Sequence, residues 1–321
     1  MSDTAGRTAL VLGATGGIGG EVVSALQRRG WRIRALHRDP AAARQRSVPD
    51  LDWVSGDAMD ADSVAAAAGG VSLLVHAVNP PGYRNWARLV LPMLDSSIRA
   101  AERAGARIVL PGTVYNYGPD AFPAPAEDAP QHPLTRKGAI RVEMERRLEA
   151  AAARGVPVLI VRAGDFFGPR AANNWLSQGL IKPGQPVRSI TDPGRKGVGH
   201  QWAYLPDVAE AMARLVERAG PGFERFHMDG HWDPDGTAMI AAIRRAVGRD
   251  VPVRALPWPV LGLLAPVVPL FRELWEMRYL WRQTLRLDNA RLVATLGAEP
   301  RTPLDEAVRT TLIGLGCLPG V

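Results

Sequence analysis

The chain is 321 residues long, 46% apolar and formally +7, which suffices for a substantial core and excludes a disordered chain. No run is long and apolar enough to span a bilayer, and a single cysteine, Cys317, excludes an intrachain disulfide. The positive charge is no nucleic-acid signature: Lys137, Lys182 and Lys196 are the only lysines, and the arginines are scattered rather than gathered in one block.

The first apolar run, 8–12, reads as a strand that ends in Gly13-Ala-Thr-Gly16-Gly-Ile-Gly19 and then a helix over 18–29. This is the strand, loop and helix start that holds a dinucleotide pyrophosphate. Gly13 permits a tight turn, Gly16 lets the backbone approach phosphates, and Gly19 lets helix and strand pack closely. Thr15, Gly17 and Ile18 complete the loop, and the helix start points unpaired N–H groups at the anion.

The pattern then alternates. Strands are expected at 32–36, 51–54, 72–77, 107–110 and 158–161, with helices over 41–46, 62–68, 85–104 and 136–154. Such alternation predicts a Rossmann-type, doubly wound parallel sheet in an α/β fold. Strand two runs into His37-Arg38-Asp39-Pro40. Arg38 suits a 2′-phosphate, and Asp39 reads as the cap of a helix that starts at Pro40. NADP(H) is therefore expected over NAD(H). Strand three ends at Asp57-Ala58, where the carboxylate suits the adenine amino group or merely caps a turn. Strand four ends His76-Ala77-Val78-Asn79, whose backbone would pass beside the adenosine and phosphates. His76 itself reads as a structural histidine.

Beyond Gly168-Pro169 periodicity fades. Residues 170–201 read as loops over a pocket, followed by a helix (207–218), a strand (223–228) and helices over 237–247, 289–296 and 303–315. The intervening 256–285 is rich in aromatics and prolines. Its internal prolines and its lack of a basic face argue against a membrane-surface anchor. Trp258, Phe271, Trp275, Tyr279 and Trp281 read as core or subunit-interface residues. The expected division is a nucleotide-binding domain over 1–168, with a returning segment near 200–230, and a smaller substrate lobe over 169–321. An N-terminus that enters a strand at once, without the apolar core of a signal peptide, predicts a cytoplasmic protein.

Further segments carry a resemblance. Thr113-Val-Tyr-Asn-Tyr-Gly118, Arg162-Ala-Gly-Asp-Phe-Phe-Gly-Pro169 and Gln201-Trp-Ala-Tyr-Leu-Pro-Asp-Val-Ala209, taken with the glycine loop and Asp57, resemble the extended short-chain dehydrogenase/reductase family. The similarity is strongest to its nucleotide-sugar epimerase/dehydratase branch. It implies cofactor contacts from Ala163 and Gly164, and pairing of copies through the helices over 85–104 and 136–154. It also implies a Ser/Thr that orients the substrate oxygen, a role Thr113 fits, and a Tyr-x-x-x-Lys pair on the next helix. That helix reads Thr135-Arg-Lys-Gly-Ala-Ile-Arg-Val-Glu-Met-Glu145 and holds no tyrosine. Alignment on Glu145 sets Arg141 against the family's lysine and Lys137 against its tyrosine, on one helical face.

The proton donor is expected elsewhere. If Thr113 faces the pocket, alternation along a strand brings Tyr115 to the same side, a position that carries a catalytic acid in the dehydratase branch. Lys137 is the second candidate, its ammonium disfavoured by Arg141, and Arg141 is expected to anchor the ribose. Asp165, Asn173, Asn174 and Trp175 are expected at the cleft mouth, facing a small-molecule substrate. No zinc spacing, Gly-x-Ser-x-Gly elbow or Walker lysine is present, so no metal site is expected. Two readings follow: an NADP(H)-dependent oxidoreductase or epimerase-like enzyme acting at a hydroxyl or carbonyl carbon, or an NADP(H)-binding sensor or scaffold without turnover.

Overall fold

A computed structural model describes residues 7–45, 50–80, 85–171, 174–218 and 220–320, with backbone alone at 269–270. Strand and helix alternate through the first half: β1 (Thr8–Leu12), α1 (Gly17–Arg28), β2 (Arg32–His37), α2 (Pro40–Arg44), β3 (Asp52–Ser55), α3 (Ala61–Ala67) and β4 (Leu73–His76). There follow α4 (Trp86–Ala104), β5 (Arg107–Thr113), α5 (Arg136–Ala153) and β6 (Val158–Ala163). The second half is made of shorter pieces: β7 (Asp165–Phe167), β8 (Ile190–Asp192), β9 (His200–Tyr204), α6 (Leu205–Val216), β10 (Phe223–His227), β11 (His231–Asp233) and α7 (Ala238–Val247). It closes with β12 (Val253–Ala255), α8 (Trp258–Leu264), α9 (Pro269–Glu276), α10 (Ala290–Leu296) and α11 (Leu304–Gly314).

Seven strands form one parallel sheet in the order β10-β6-β5-β4-β1-β2-β3. The direction of winding reverses between β1 and β4, which opens a crevice at the carboxyl ends of those strands. Both faces are covered, so the central strands β1, β4, β5 and β6 are largely apolar and buried. Along β1, Ala9 and Val11 pack into the layer that contains α1 and α6, while Leu10 and Leu12 pack into the opposite layer with α3, α4 and α5. The expected doubly wound α/β fold is what the chain adopts.

A smaller lobe caps the carboxyl ends. Its three-stranded sheet, β11-β9-β7, backs a core that includes Trp175, Trp202, Trp258 and Trp281. Strand β9, near residue 200, belongs to this lobe, and the chain returns to the large sheet through α6 and β10, with α10 later packing on the same layer through Leu292 and Leu296. The loops expected over 170–201 contain β8 and a helical turn at Leu176–Leu180. The Pro- and aromatic-rich tail folds into α8 and α9.

Candidate active site

A cleft of about 680 Å³ lies over the carboxyl ends of the parallel strands, roofed by the lobe. Its floor begins at the glycine loop. Gly13 holds φ at +88°, and a Cβ there would come within 2.6 Å of the Ala77 carbonyl oxygen. A Cβ on Gly19 would overlap the Gly13 carbonyl oxygen, so only glycine lets α1 start this close to the loop. Helix α1 starts with Gly16 as its cap residue, with no side-chain cap and no acid in its first turn. Its first N–H groups are thus available to an anion.

Moving outward, Arg38 lines the cleft at the end of β2, exposed and with no ion pair among the described residues. Asp39 is turned away: its Oδ1 accepts the Ala42 N–H at 3.0 Å, capping α2 ahead of Pro40. Asp57 also lines the cleft while its Oδ1 accepts the Met59 N–H at 2.9 Å. Thr15, Gly16, Gly17, Ile18, His37, Ala58, Ala77, Val78, Asn79, Ala163 and Gly164 line it as well. Gly19 does not; it packs beneath Gly13. A tight turn that only glycine permits, an uncapped helix start and a partnerless guanidinium together fit a dinucleotide.

At the opposite end Thr113, Tyr115 and Arg141 line the cleft. Strand alternation does not explain why Tyr115 is there. Strand β5 stops at Thr113, and Val114–Asn116 form a turn of 3-10 helix. Thr113 caps that turn, its Oγ1 accepting the Tyr115 N–H at 3.3 Å. The Arg141 guanidinium lies over the Trp86 ring, 5.2 Å from its centroid.

Lys137 is not among the cleft-lining residues. Its Nζ lies 2.8 Å from Glu273 Oε2 and donates to the Glu273 carbonyl oxygen at 3.3 Å, locking α5 to α9. Burial, not Arg141, pushes the ammonium pKa down, and Glu273 and Glu276 oppose it. The sequence expectation of a second proton donor fails geometrically, because a partner 136 residues away claims the side chain.

Asp165, Asn174 and Trp175 line the cleft, and Asn173 lies outside the described residues. Asp165 is buried and accepts a 2.9 Å hydrogen bond from His200 Nε2. The imidazole is stacked on Trp281 with centroids 3.8 Å apart. His200 thus stands behind Asp165, a pairing that no sequence spacing announces. Trp86, Val90 and Met93, on one face of α4, and Met144 on α5 complete an apolar wall. Their helical spacing was legible, but it is equally that of a core stripe.

Beneath the cleft, Arg162 is fully buried. Its Nε donates to Glu145 Oε1 at 2.9 Å, its Nη2 to Glu145 Oε2, and its Nη1 to the Tyr117 hydroxyl and the Glu127 carbonyl. The Tyr117 hydroxyl lies 2.9 Å from His227 Nε2. Burial pushes Tyr117 up to about 12 and His227 down to about 3. Glu145 therefore ties α5 to β6.

The family model described as the NAD dependent epimerase/dehydratase family matches residues 9–228. The chain belongs to this family. That family is part of the extended short-chain dehydrogenase/reductase superfamily. It is 35% identical to NAD(P)H azoreductase of Xenophilus azovorans over 248 residues, covering 75% of this chain and 74% of that protein. It is 31% identical to sterol demethylase protein B of Methylococcus capsulatus over 305 residues, 88% and 86% of the two chains. Across the first curated relatives, the aligned stretch spans 56% to 74% of their own length. Among solved structures, UDP-glucuronic acid 4-epimerase from Bacillus cereus with NAD superposes with a TM-score of 0.75 at 15% identity. That match covers 96% of this chain and 98% of the other, and it establishes the shared fold.

Proposed function

We propose that the protein is an NADP(H)-dependent oxidoreductase that interconverts a carbonyl and a hydroxyl on a largely apolar small molecule. The observation that carries this reading is the juxtaposition of Thr113 and Tyr115 on one wall of a cleft whose other end holds the glycine loop and Arg38. The cofactor, when bound, supplies or accepts the hydride. The residues fitted to hold it are the Gly13–Ile18 loop, Arg38 for the 2′-phosphate, Asp57 for the adenine, and Arg141 for the nicotinamide ribose. Arg141 cannot titrate, so it is a binding group and not an acid.

The Thr113 hydroxyl spends a lone pair on the Tyr115 N–H, which leaves its O–H to donate to a substrate oxygen. Tyr115 delivers the phenolic proton to that oxygen as the carbon–hydrogen bond forms, and recovers it from solvent. With Lys137 held by Glu273, Tyr115 is the proton donor that the cleft offers. Trp86, Val90, Met93, Met144 and Trp175 make the walls apolar. An aromatic or alicyclic frame suits them better than a sugar, in keeping with relatives named for azo and sterol chemistry.

The test is NADPH consumption followed at the nicotinamide absorbance across apolar ketones, aldehydes, azo compounds and sugar nucleotides. Turnover is expected with an apolar member, and Tyr115→Phe should lower kcat by roughly 10²–10⁴-fold, the usual worth of a positioned general acid. Tight NADPH binding with no turnover on any member would favour the sensor reading. The removal of Lys137 from the cleft supports that second reading.

A further inference from the structure

Helix α8 and the turn after it carry an apolar surface that the fold leaves uncovered. Val260 is 51% exposed, Leu263 79%, Leu264 37% and Val267 74%. Val260, Leu263 and Leu264 fall on one side of the helix, and Val267 follows in the turn after it. Val253 is exposed nearby in sequence, so five of the seven large exposed apolar residues among the described ones fall within 253–267. The inner side of the same helix, Trp258, Leu261 and Ala265, is buried in the lobe. No charged residue occurs from Leu256 to Phe271. A helix apolar all round is expected to be covered on both sides.

The surroundings say what covers it. Gly262 packs against the Trp275 ring, and the Arg278 guanidinium lies 3.7 Å from that ring's centroid. Arg282 lies close enough for its charge to oppose that of Arg278, and the Arg272 side chain is 59% exposed. Counting both ends, Arg254 to Arg286 holds five arginines and two acids. Both acids face α5: Glu273 is held by Lys137, with Arg272 Nε more distant at 3.9 Å, and Glu276 accepts the Arg136 N–H at 2.6 Å. The basic rim that the 256–271 segment lacks is therefore supplied by α9 and the residues after it. A two-fold contact between copies would set this arginine rim against itself.

We infer that the α8 face, with its rim of Arg272, Arg278 and Arg282, docks on an anionic lipid surface. Val260, Leu263, Leu264 and Val267 enter the acyl boundary, and the guanidiniums meet the headgroups. No helix among the described residues is long and apolar enough to cross a membrane, so the contact is peripheral. Trp258 at the start of α8 packs on Trp175, which lines the cleft. Docking would thus bring the mouth of an apolar cleft to the phase where an apolar compound concentrates.

The full chain should co-sediment with vesicles of phosphatidylglycerol and phosphatidylcholine, and much less with phosphatidylcholine alone or at raised salt. Leu263→Asp combined with Val267→Asp should weaken vesicle binding at least tenfold. Arg278→Glu with Arg282→Glu should weaken it and remove its salt dependence. Circular dichroism and NADPH titration of the same variants should be unchanged, since none of these residues lines the cleft. Vesicle binding needs no turnover, so it stands or falls separately from the proposed reaction. No sedimentation with anionic vesicles, or equal sedimentation of the aspartate variant, would overturn the inference. So would a concentration-dependent dimer that the aspartate variant dissolves, because the face would then belong to a second copy.

Discussion

Lys137 on α5 and Glu273 on α9 form an ion pair of 2.8 Å. The lysine side chain is 5% exposed and the glutamate 21%. Its work is to hold the tail helix against the nucleotide-binding half. Lys137→Ala should therefore cost about 3 kcal/mol of stability, the low end for a buried pair because Glu273 keeps some solvent. NADPH affinity and kcat should change less than threefold. Urea unfolding and steady-state kinetics on one preparation check this, and a large fall in kcat with unchanged stability would contradict it.

The proposed preference for NADP(H) rests on Arg38, exposed at the end of β2. A charge-assisted hydrogen bond is worth about 1.5–3 kcal/mol, so Arg38→Ala should weaken NADPH binding roughly 10- to 150-fold. NADH affinity should stay nearly constant, since Asp39 is committed to capping α2. Fluorescence titrations with the two cofactors measure the ratio. Equal losses for both would remove the 2′-phosphate assignment.

Gly19 has no room for a methyl group. Gly19→Ala must push α1 off the Gly13 carbonyl, costing about 1–3 kcal/mol as an overpacked site and re-aiming the N–H groups at the helix start. Dinucleotide affinity should fall more than tenfold while the far-ultraviolet dichroism stays native. Gly30→Ala, which has open space but is strained by its φ of +79° at the far end of α1, is the control for a general loss of stability.

Buried histidines set the acid limit. Burial, with help from Arg141, pushes His76 down to about 3. Burial with Arg162 and Arg225 does the same for His227, and burial with Arg301 brings His231 to about 4. The unfolded chain takes up these protons near the ordinary histidine pKa of about 6.5 and the folded chain does not. Stability from these rings is therefore complete above about pH 6.5 and is lost as pH falls toward 3. His76 and His227 together give a slope of about 2.7 kcal/mol per pH unit, and His231, less enclosed, gives less. Urea unfolding from pH 7 downward should approach this slope only near pH 5, where the unfolded rings are fully protonated, and His227→Gln should reduce it there by about one proton. A flat profile would mean the rings are protonated in the fold.

The parallel sheet and the glycine loop were legible because their signals are local. An apolar run that ends in glycine, or an Asp before Pro40, acts within a few residues. The short strands β7, β9 and β11 were not legible, since runs of three to five residues pair only through long-range contacts. Tyr115 lines the cleft through a 3-10 turn rather than through the strand alternation inferred for it.

By itself, then, the order of residues determined a nucleotide-binding α/β fold with a basic residue after the second strand. Only the tertiary structure decided that Lys137 answers to Glu273, that His200 stands behind Asp165, and that the aliphatic side of α8 faces outward while its tryptophan turns in. Hydrophobic periodicity and turn chemistry are properties of neighbouring residues. A charge partner 136 positions away, or the side of a uniformly apolar helix that finds a partner, depends on which surfaces the finished fold brings together.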